Sequence, residues 1–545
     1  MFYMTRKLSL RSAALFSAVC MLLTGAVAGC KSNKPKDTDS DSSGIISSDF
    51  SSDASAGNEP TVSDNQSSQS SGGNSTASSG GQNTASGTGS TDKTVKGTVN
   101  VLVAADAEKE TAAMIDIFKK KYPNVTVKIT VDGATNMVGQ DLSKLSAAKK
   151  LPDVVIFGTE NFSYILNQGL AYPLDKFYNA DPDNKYAFQA GIENYTYAEH
   201  LFALPFRLQF NTIGVNKDLF KTLNLKDPGY NWTIDEFVNL AKKATTNEYS
   251  GINYIVDSGD PTHGMDVGIM NSLLPDGYGL FGYNLKDHTF NFTNGAWVKA
   301  KEITKDLTNT PGLVADDLHK TTSGGKTAYE QKFGSGADAM KNGKILFTNT
   351  HSWQASWYDE VKYSWDFYPY PRKDASTNQR IQTHVDFVCM TTAVTQENRD
   401  AAYALIKTMS YDKDAAIEYI KYCENKTTGT TTLLMPSCAH PDVITYFQNS
   451  KTYPDGLKYM YKQVMASKNN VFVADVNKIV PNFWNNVTQY QTQVDEQIAA
   501  GTAPASLAKT LETKVNASSS KTWAAFETKL TKFINKFYQS HPYEK

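Results

Sequence analysis

Residues 99–131 read VNVLVAADAEKETAAMIDIFKKKYPNVTVKITV, and their pattern predicts the fold class. It opens on an apolar run typical of a strand, and a helical pattern then places Met114 and Phe118 on one face. After Pro123, which ends the helix, apolar and polar residues alternate from Val125 as in a half-buried strand. The stretch therefore predicts a strand, a helix and a second strand in succession.

The same alternation continues along the chain. A helix is predicted over 142–149 and a short buried strand over 153–157. Alternating strands and helices indicate an α/β lobe with a largely parallel sheet. Because ligands bind beyond the carboxyl ends of such strands, the loops at 104–108 and 158–161 are expected to line a binding site.

Later segments are predicted to add helices to this framework. Thr233 and Glu236 have the spacing of a capping box at a helix start, and Trp232 beside them is expected to lie in the core. Further helices are predicted over 398–409 and over most of 475–537.

The N-terminal part of the chain has a different character. Residues 1–29 carry three basic residues, no acidic residue and an apolar run, which together are typical of a secretory signal. Residues 27–30 read VAGC and resemble a bacterial lipobox, which implies cleavage before Cys30 and lipidation of its sulfur. Residues 31–97 are mostly Ser, Thr, Gly, Asn and Asp, so they are expected to form a disordered tether.

Composition and motifs exclude several classes of protein. A formal net charge of -2 does not suit a nucleic-acid binder, which needs a basic surface. Residues 277–282 match GxGxxG without the strand and helix that a dinucleotide site requires, and residues 324–327 resemble only the tail of a phosphate-binding loop. No two histidines stand four residues apart, and we expect neither a metal nor a cofactor.

The cysteines leave one question open. Cys389 lies in an apolar run and is expected to be a buried small residue. Cys423 and Cys438 flank a Thr- and Gly-rich loop and are able to form a disulfide outside the cell, but the sequence alone does not decide this.

Six blocks of sequence occur in a characteristic order and spacing, although each block alone is a weak signal. They are Leu151 to Val155 with Pro173-Leu174, Leu204-Pro205-Phe206 with Gly214 to Phe220, Trp232 to Phe237, Asn342 to Phe347 leading to Trp353, Asn398 to Ala402, and Phe483-Trp484 with 507–515. Together they resemble the family-1 extracellular solute-binding proteins, the group that includes maltose-binding protein.

The resemblance implies an α/β, two-lobed periplasmic-binding-protein-like fold of type II. Each of its hinged lobes has a central, mostly parallel sheet, and the lobes close on a solute. The expected parts are a lipoprotein signal peptide (1–29), a lipidated Cys30 with its tether (30–97), the first part of lobe 1 (98–208), the first part of lobe 2 (209–366), a return segment of lobe 1 (367–425), and lobe 2 with C-terminal helices (426–545).

The resemblance and the strand-end loops also suggest ligand contacts. Trp353 and Trp484 fall where the second lobe places sugar-stacking rings, and Gln209 replaces an acid near the crossover. His384 and Asp386 precede an apolar strand and are expected to face the cleft. The full set of expected ligand-binding residues is Asp106, Glu108, Phe157, Glu160, Asn161, Gln209, Trp353, His384, Asp386 and Trp484.

These residue types suit a sugar. A ring stacked on a sugar's C–H face removes about 80 Å² of apolar area from water, which contributes about 2 kcal/mol. Carboxylates and amides satisfy the hydroxyls. We therefore expect a monomeric lipoprotein on the outer face of a Gram-positive cell membrane, which passes a sugar or oligosaccharide to an ABC transporter permease without chemistry. A secreted glycan hydrolase and a receptor for another polar solute, such as a peptide, are the alternatives.

Overall fold

The computed structural model describes residues 92–104, 108–132, 138–157, 162–257, 262–425 and 435–544, all within one compact unit, Ala85–Lys545. The predicted signal peptide, the lipidation site Cys30 and almost all of the tether lie outside the described residues. Three of the expected ligand contacts, Asp106, Glu160 and Asn161, lie outside them as well.

The strands and helices of the described residues are numbered in chain order. The strands are β1 Gly97–Ala104, β2 Val125–Asp132, β3 Val154–Phe157, β4 Thr196–Tyr197, β5 His200–Leu201, β6 Leu204–Asn216, β7 Ser250–Ile252, β8 Tyr278–Gly279, β9 Tyr283–Asn284, β10 Thr289–Phe290, β11 Thr322–Ser323, β12 Lys326–Thr327, β13 Ile345–His351, β14 Trp365–Pro369, β15 Ile381–Met390, β16 Met435–Pro436 and β17 Val471–Val473. The α-helices are α1 Glu108–Lys121, α2 Val138–Ala147, α3 Phe162–Asn167, α4 Asp175–Ala180, α5 Gln189–Asn194, α6 Lys217–Thr222, α7 Ile234–Ala244, α8 Met265–Leu273, α9 Ala296–Asn309, α10 Ala328–Phe333, α11 Arg399–Ser410, α12 Lys413–Glu424, α13 Pro441–Asn449, α14 Asp455–Ala466, α15 Val476–Ile479, α16 Gln489–Ala499 and α17 Pro504–Ser540.

The strand–helix–strand prediction for the start of the folded part is confirmed. β1 pairs in parallel with β2 on one side and with β3 on the other. The helix between the first two strands, α1, buries Met114, Ile115 and Phe118, because residues three and four apart share one face of a helix. The next helix, α2, begins and ends a few residues earlier than predicted.

One mixed sheet organises the described part of the chain. Its strand order is β2-β1-β3-β15-β6-β13-β7, with β14 and β16 also paired to β6 and β17 paired to β15. The pairs β1–β2, β1–β3, β13–β7 and β15–β17 are parallel. The pairs that involve β6, and the pair β15–β3, are antiparallel.

The long strand β6 connects two sections of this sheet. Residues 204–210 pair with β15, which continues to β3 and the N-terminal strands. Residues 211–216 pair instead with β13 and β14. The middle of β6 is therefore the point where the chain passes from one section to the other.

The C-terminal region is helical, as predicted, and its last helix is longer than the sequence pattern indicated. At 37 residues, α17 is about 55 Å long at the usual rise of a helix. Near its start, Asn516 exchanges hydrogen bonds with the backbone of Phe290. Near its end, Phe537 packs edge-on against Tyr172, with ring centres 4.9 Å apart.

Several local predictions can be compared directly with the structure. Thr233 and Glu236 form the capping box of α7, and Trp232 is fully buried, so both predictions are confirmed. The three described cysteines, Cys389, Cys423 and Cys438, are buried and free, so the disulfide that the sequence left open is not formed. Among the described helices, none has the length and apolar character needed to span a bilayer.

Candidate functional site

One face of β6 is polar although the strand lies inside the molecule. Side chains alternate between the two faces of a strand, so Arg207, Gln209 and Asn211 share a face while Leu208 and Phe210 point the other way. The two apolar residues are fully buried. The three polar residues lie at the point where β6 passes between the two sections of the sheet.

The neighbouring strands bring more polar residues to this face. In the antiparallel register, Gln209 lies opposite His384 of β15, and Asn211 lies opposite His351 of β13. Opposite residues of an antiparallel pair have their side chains on the same side of the sheet. The register alone therefore gathers two amides and two imidazoles around the middle of β6.

A chain of buried charges lies beside these groups. Asp386 of β15 forms ion pairs with Arg207 and with Lys478 of α15, whose Nζ is 3.3 Å from Asp386 Oδ1. Lys478 Nζ is also 3.3 Å from Asp475 Oδ2. All four side chains are at most 8% exposed, and their charges sum to zero. Mutual pairing of this kind is what makes buried charges tolerable.

The pKa values follow from this pairing. Burial raises the pKa of Asp475, but Lys478 and His384 outweigh burial and lower it to about 2. Burial lowers the pKa of Lys478, and the two carboxylates it contacts reverse that shift and raise it. Both groups of the Asp475–Lys478 pair therefore carry their charges at neutral pH.

His384 joins the charged chain to the polar face of β6. Its Nδ1 lies 2.7 Å from Asp475 Oδ1, and its Nε2 lies 2.7 Å from Asn211 Oδ1. The same Asn211 oxygen is 3.0 Å from Nδ1 of His351. Burial lowers the pKa of His384, while Asp475 opposes that shift. One amide oxygen thus fixes the positions of two imidazole rings.

Trp353 lies at the end of this arrangement. It follows β13 in the short 3-10 helix Ser352–Tyr358 and is half-buried. Its ring stacks on His351, with centres 4.3 Å apart, and meets the rings of His384 and His263 edge-on at 5.3 and 5.6 Å. We call Trp353, His351, His384 and His263 the Trp353 cluster. The exposed part of its indole is a flat apolar surface bordered by imidazoles and amides.

The remaining expected contacts have varied positions. Trp484 is 41% exposed at the start of a π-helical turn, and its ring meets that of Phe483 at 5.6 Å. Glu108 is exposed at the first position of α1. Phe157 is the last residue of β3, where its backbone pairs with Phe387.

Asp386 differs most from its expected position at the cleft surface. It is 3% exposed, and its two carboxylate oxygens are engaged by Arg207 and Lys478. Gln209 Nε2 also lies 3.5 Å from it. The physical reason is that Arg207 and Lys478 are buried cations whose charges must be compensated. Their ion pairs with Asp386 hold its carboxylate in the interior. Direct contact between Asp386 and a ligand stays a prediction.

Sequence reasoning missed several residues of the site. Arg207, Asn211, Asp475, Lys478 and His263 were not expected there. The alternation of polar and apolar residues over 207–211 was a readable signal for a polar strand face. The partners of those residues were not readable, because Asp386 lies 179 residues from Arg207 in sequence.

The three histidines of the Trp353 cluster do not amount to a metal centre. Within the described residues, no group of three His, Cys, Asp or Glu side chains is arranged to hold a metal ion. The arrangement can instead stack against an apolar surface and exchange hydrogen bonds with hydroxyl groups.

Comparison with protein families identifies the chain. The family model described as bacterial extracellular solute-binding protein matches residues 113–451. The chain belongs to this family. A search of the curated proteins found no match.

Solved structures show the same fold at low sequence identity. An ABC substrate-binding protein from Listeria monocytogenes, in complex with cycloalternan, is 18% identical with a TM-score of 0.54, over 77% of this chain and 98% of that one. A sugar transporter from Rhizobium etli in an open conformation is 17% identical with a TM-score of 0.56, over 77% and 99%.

A third solved structure agrees with these two. The GacH receptor of Streptomyces glaucescens, solved unliganded and with acarbose, is 17% identical with a TM-score of 0.54, over 78% of this chain and 99% of that one. The α/β, type II binding-protein fold expected from the sequence is confirmed for this solute-binding protein.

Proposed function

We propose that this solute-binding protein captures a sugar or oligosaccharide between its two lobes and delivers it unaltered to an ABC transporter permease. The observation that carries the proposal is the Trp353 cluster. A half-buried indole, held by His351 and bordered by His384 and the polar face of β6, offers a sugar both a stacking surface and hydrogen-bond partners.

The position of this cluster supports the proposal. Gln209 and Asn211 lie where β6 leaves one section of the sheet and enters the other. A ligand held there is within reach of groups from both sections, and contacts to both lobes favour a closed form. Asp106, Glu160 and Asn161, which lie outside the described residues, are proposed from the sequence to contact the ligand as well.

A thermal-shift screen of mono- and oligosaccharides tests this proposal. A ligand that binds only the folded state raises the melting temperature. We expect at least one saccharide to raise it in the wild type, and to raise it much less in Trp353→Ala. A shift by peptides or other polar solutes, with no shift by any saccharide, would point to the alternative ligand class.

Product analysis distinguishes a binding protein from the alternative, a glycan hydrolase. We propose that the chain performs no chemistry, since the two described carboxylates beside the polar face of β6, Asp386 and Asp475, are buried in ion pairs. Asp386 and Asp475 are each bound by cations, which leaves neither as a free acid or base. Multiple turnover of a glycan by the pure protein would contradict this assignment.

The membrane attachment is proposed from the sequence. Cleavage before Cys30 and lipidation of its sulfur would place a monomeric receptor on the outer face of a Gram-positive cell membrane, joined by the tether 31–97. Growth with a radioactive fatty acid should label the wild type and not Cys30→Ala. A wild-type protein that is secreted normally but unlabelled would refute the anchor.

A further inference from the structure

A large cavity lies apart from the Trp353 cluster and shares none of its residues. Its volume is about 740 Å³, within the range of sites for small molecules. Residues of the β8–β9 hairpin, of α17, of the segment before β17 and of the segment before β15 line it. Nothing in the proposed function uses this cavity.

A fixed pair of aromatic rings forms part of its wall. His288 stacks on Trp523 of α17, with ring centres 4.1 Å apart and planes 25° apart. His288 Nδ1 lies 2.8 Å from the hydroxyl of Tyr283, and Trp523 Nε1 donates to Glu527 Oε1 at 2.8 Å. Because both rings are fixed by hydrogen bonds, little conformational entropy is lost when a ligand stacks on their exposed part.

One face of α17 carries a stripe of residues that line the cavity. Trp523, Glu527 and Thr531 are four residues apart, so they lie on one face of the helix, and all three line the cavity. Phe526 and Leu530, beside them on the helix, are buried and line the cavity as well. The stripe therefore combines an apolar ring with a carboxylate and a hydroxyl.

Four of the five charged residues that line the cavity are arranged in pairs. Arg380 Nε lies 3.4 Å from Asp276 Oδ1, and Lys468 forms an ion pair with Glu193. Burial lowers the pKa of His288, so its ring is neutral at pH 7. Each basic lining residue thus faces an acidic one, and the carboxylate of Glu527 is left over, so two bases against three acids give the lining a net charge of -1 that disfavours an anion.

Uncharged polar groups complete the lining. The amides of Asn194, Asn378 and Asn469 contribute donors and acceptors, and Asn378 is exposed at the rim. An apolar ring pair surrounded by amides, hydroxyls and one unneutralised carboxylate suits a molecule with flat C–H faces and many hydroxyl groups and without negative charge.

We propose that this cavity is a second saccharide-binding site, in which a neutral sugar unit stacks on the His288–Trp523 pair and hydrogen-bonds to Asn378 and Glu527. The site is separate from the cleft beside Trp353, and it goes beyond the transport function proposed above. With both sites, the protein would bind two saccharide units, and no residue would belong to both sites.

Equilibrium dialysis with radiolabelled maltotriose, xylotriose and cellotriose tests the proposal. The protein used is the full chain carrying Trp353→Ala and Trp484→Ala, which weakens the proposed cleft. We expect saturable binding of at least one trisaccharide to remain, to weaken at least about tenfold with a further Trp523→Ala, and to be restored largely by Trp523→Phe.

Two controls keep the result interpretable. Asn378→Ala changes an exposed side chain that supports no packing, so it should weaken binding while the melting temperature stays unchanged. No saturable binding in the double variant, or binding that neither Trp523→Ala nor Asn378→Ala affects, would overturn the proposal. The two single variants, Trp523→Ala and Trp353→Ala, are compared as well. Loss of binding in Trp523→Ala alone would support this site and contradict saccharide binding at the Trp353 cluster.

Discussion

The imidazole of His351 lies flat against the indole of Trp353, with ring centres 4.3 Å apart and planes 6° apart. His351 is held in turn by Asn211 of β6, whose oxygen is 3.0 Å from its Nδ1. The orientation of the indole is therefore set by the strand that joins the two sections of the sheet. A ring fixed in this way loses little entropy when it stacks on a ligand.

Removal of this ring should weaken saccharide binding. We expect Trp353→Ala to raise the Kd about 30-fold, because the stacked area contributes about 2 kcal/mol and each 1.4 kcal/mol is tenfold. Titration calorimetry with the saccharide found in the thermal-shift screen measures the change. Trp357→Ala is the matched control, since Trp357 lies on the same short helix and is 43% exposed. Equal Kd values for the two variants would contradict the stacking role.

Asp475 should make stability depend on acid pH. Its pKa in the folded protein is about 2, below the ordinary 3.8, so its stabilising effect is present above about pH 4 and is lost as the pH falls toward 2. This difference corresponds to about 2 kcal/mol. Urea unfolding at several pH values should show a smaller loss between pH 4 and 2 in Asp475→Asn than in the wild type. Parallel curves for the two proteins would refute this assignment.

Lys478 should be more important for stability than an exposed lysine. Its removal in Lys478→Met leaves Asp475 and Asp386 buried with fewer partners, which typically costs about 3–5 kcal/mol. Combining Lys478→Met with Asp475→Asn removes two opposite charges, so the double variant should lose less stability than the sum of the single variants. Lys514→Met, on the exposed side of α17, is the control. Additive losses would mean that the pair is not coupled.

The buried cysteines should be chemically inert in the native protein. Burial raises the pKa of each of Cys389, Cys423 and Cys438 to about 12, which suppresses the reactive thiolate. Thiol reagents should react with them only after unfolding, and without prior reduction. Reaction that appears only after a reductant is added would reveal a disulfide between Cys423 and Cys438.

The capping box should affect stability without affecting binding. Thr233 Oγ1 accepts from the backbone of Glu236, so Thr233→Ala should lower the free energy of unfolding by about 1 kcal/mol. Thr233→Ser keeps the acceptor and should retain most of that stability. The Kd for the ligand should match the wild type in both variants. A loss of affinity in Thr233→Ala would show that α7 is coupled to the site.

The sequence predicted those features that depend on local patterns. The alternation of apolar residues located β1, α1 and β2, whereas the ligand contact of Trp353, inferred from a family motif, stays a prediction. The buried charges escaped prediction because their partners come from distant segments; His384 and Asp475, for example, are 91 residues apart. A register irregularity between Val385 and Phe387 also sets the position of Asp386 in β15. The hydrophobic periodicity of the sequence does not reveal such an irregularity.

The length of α17 was missed for a related reason. Its buried residues recur every three or four positions from Leu507 to Tyr538, but the polar run NASSSKT at 516–522 interrupts the apolar pattern in the sequence, and the two halves contact different segments. Phe526 packs on Tyr197, whereas Phe537 packs on Tyr172. The sequence pattern therefore indicated a helical region without showing that one continuous helix runs through it.

Binding followed by product analysis shows whether the protein holds an oligosaccharide on Trp353 and releases it unaltered. A labelled oligosaccharide that raises the melting temperature is dialysed against the wild type and against Trp353→Ala, and the bound material is then recovered and analysed. We predict that the wild type binds it saturably and returns it intact, and that Trp353→Ala binds it about 30-fold more weakly. Shortened products in excess of the protein, or undiminished affinity in Trp353→Ala, would contradict the account.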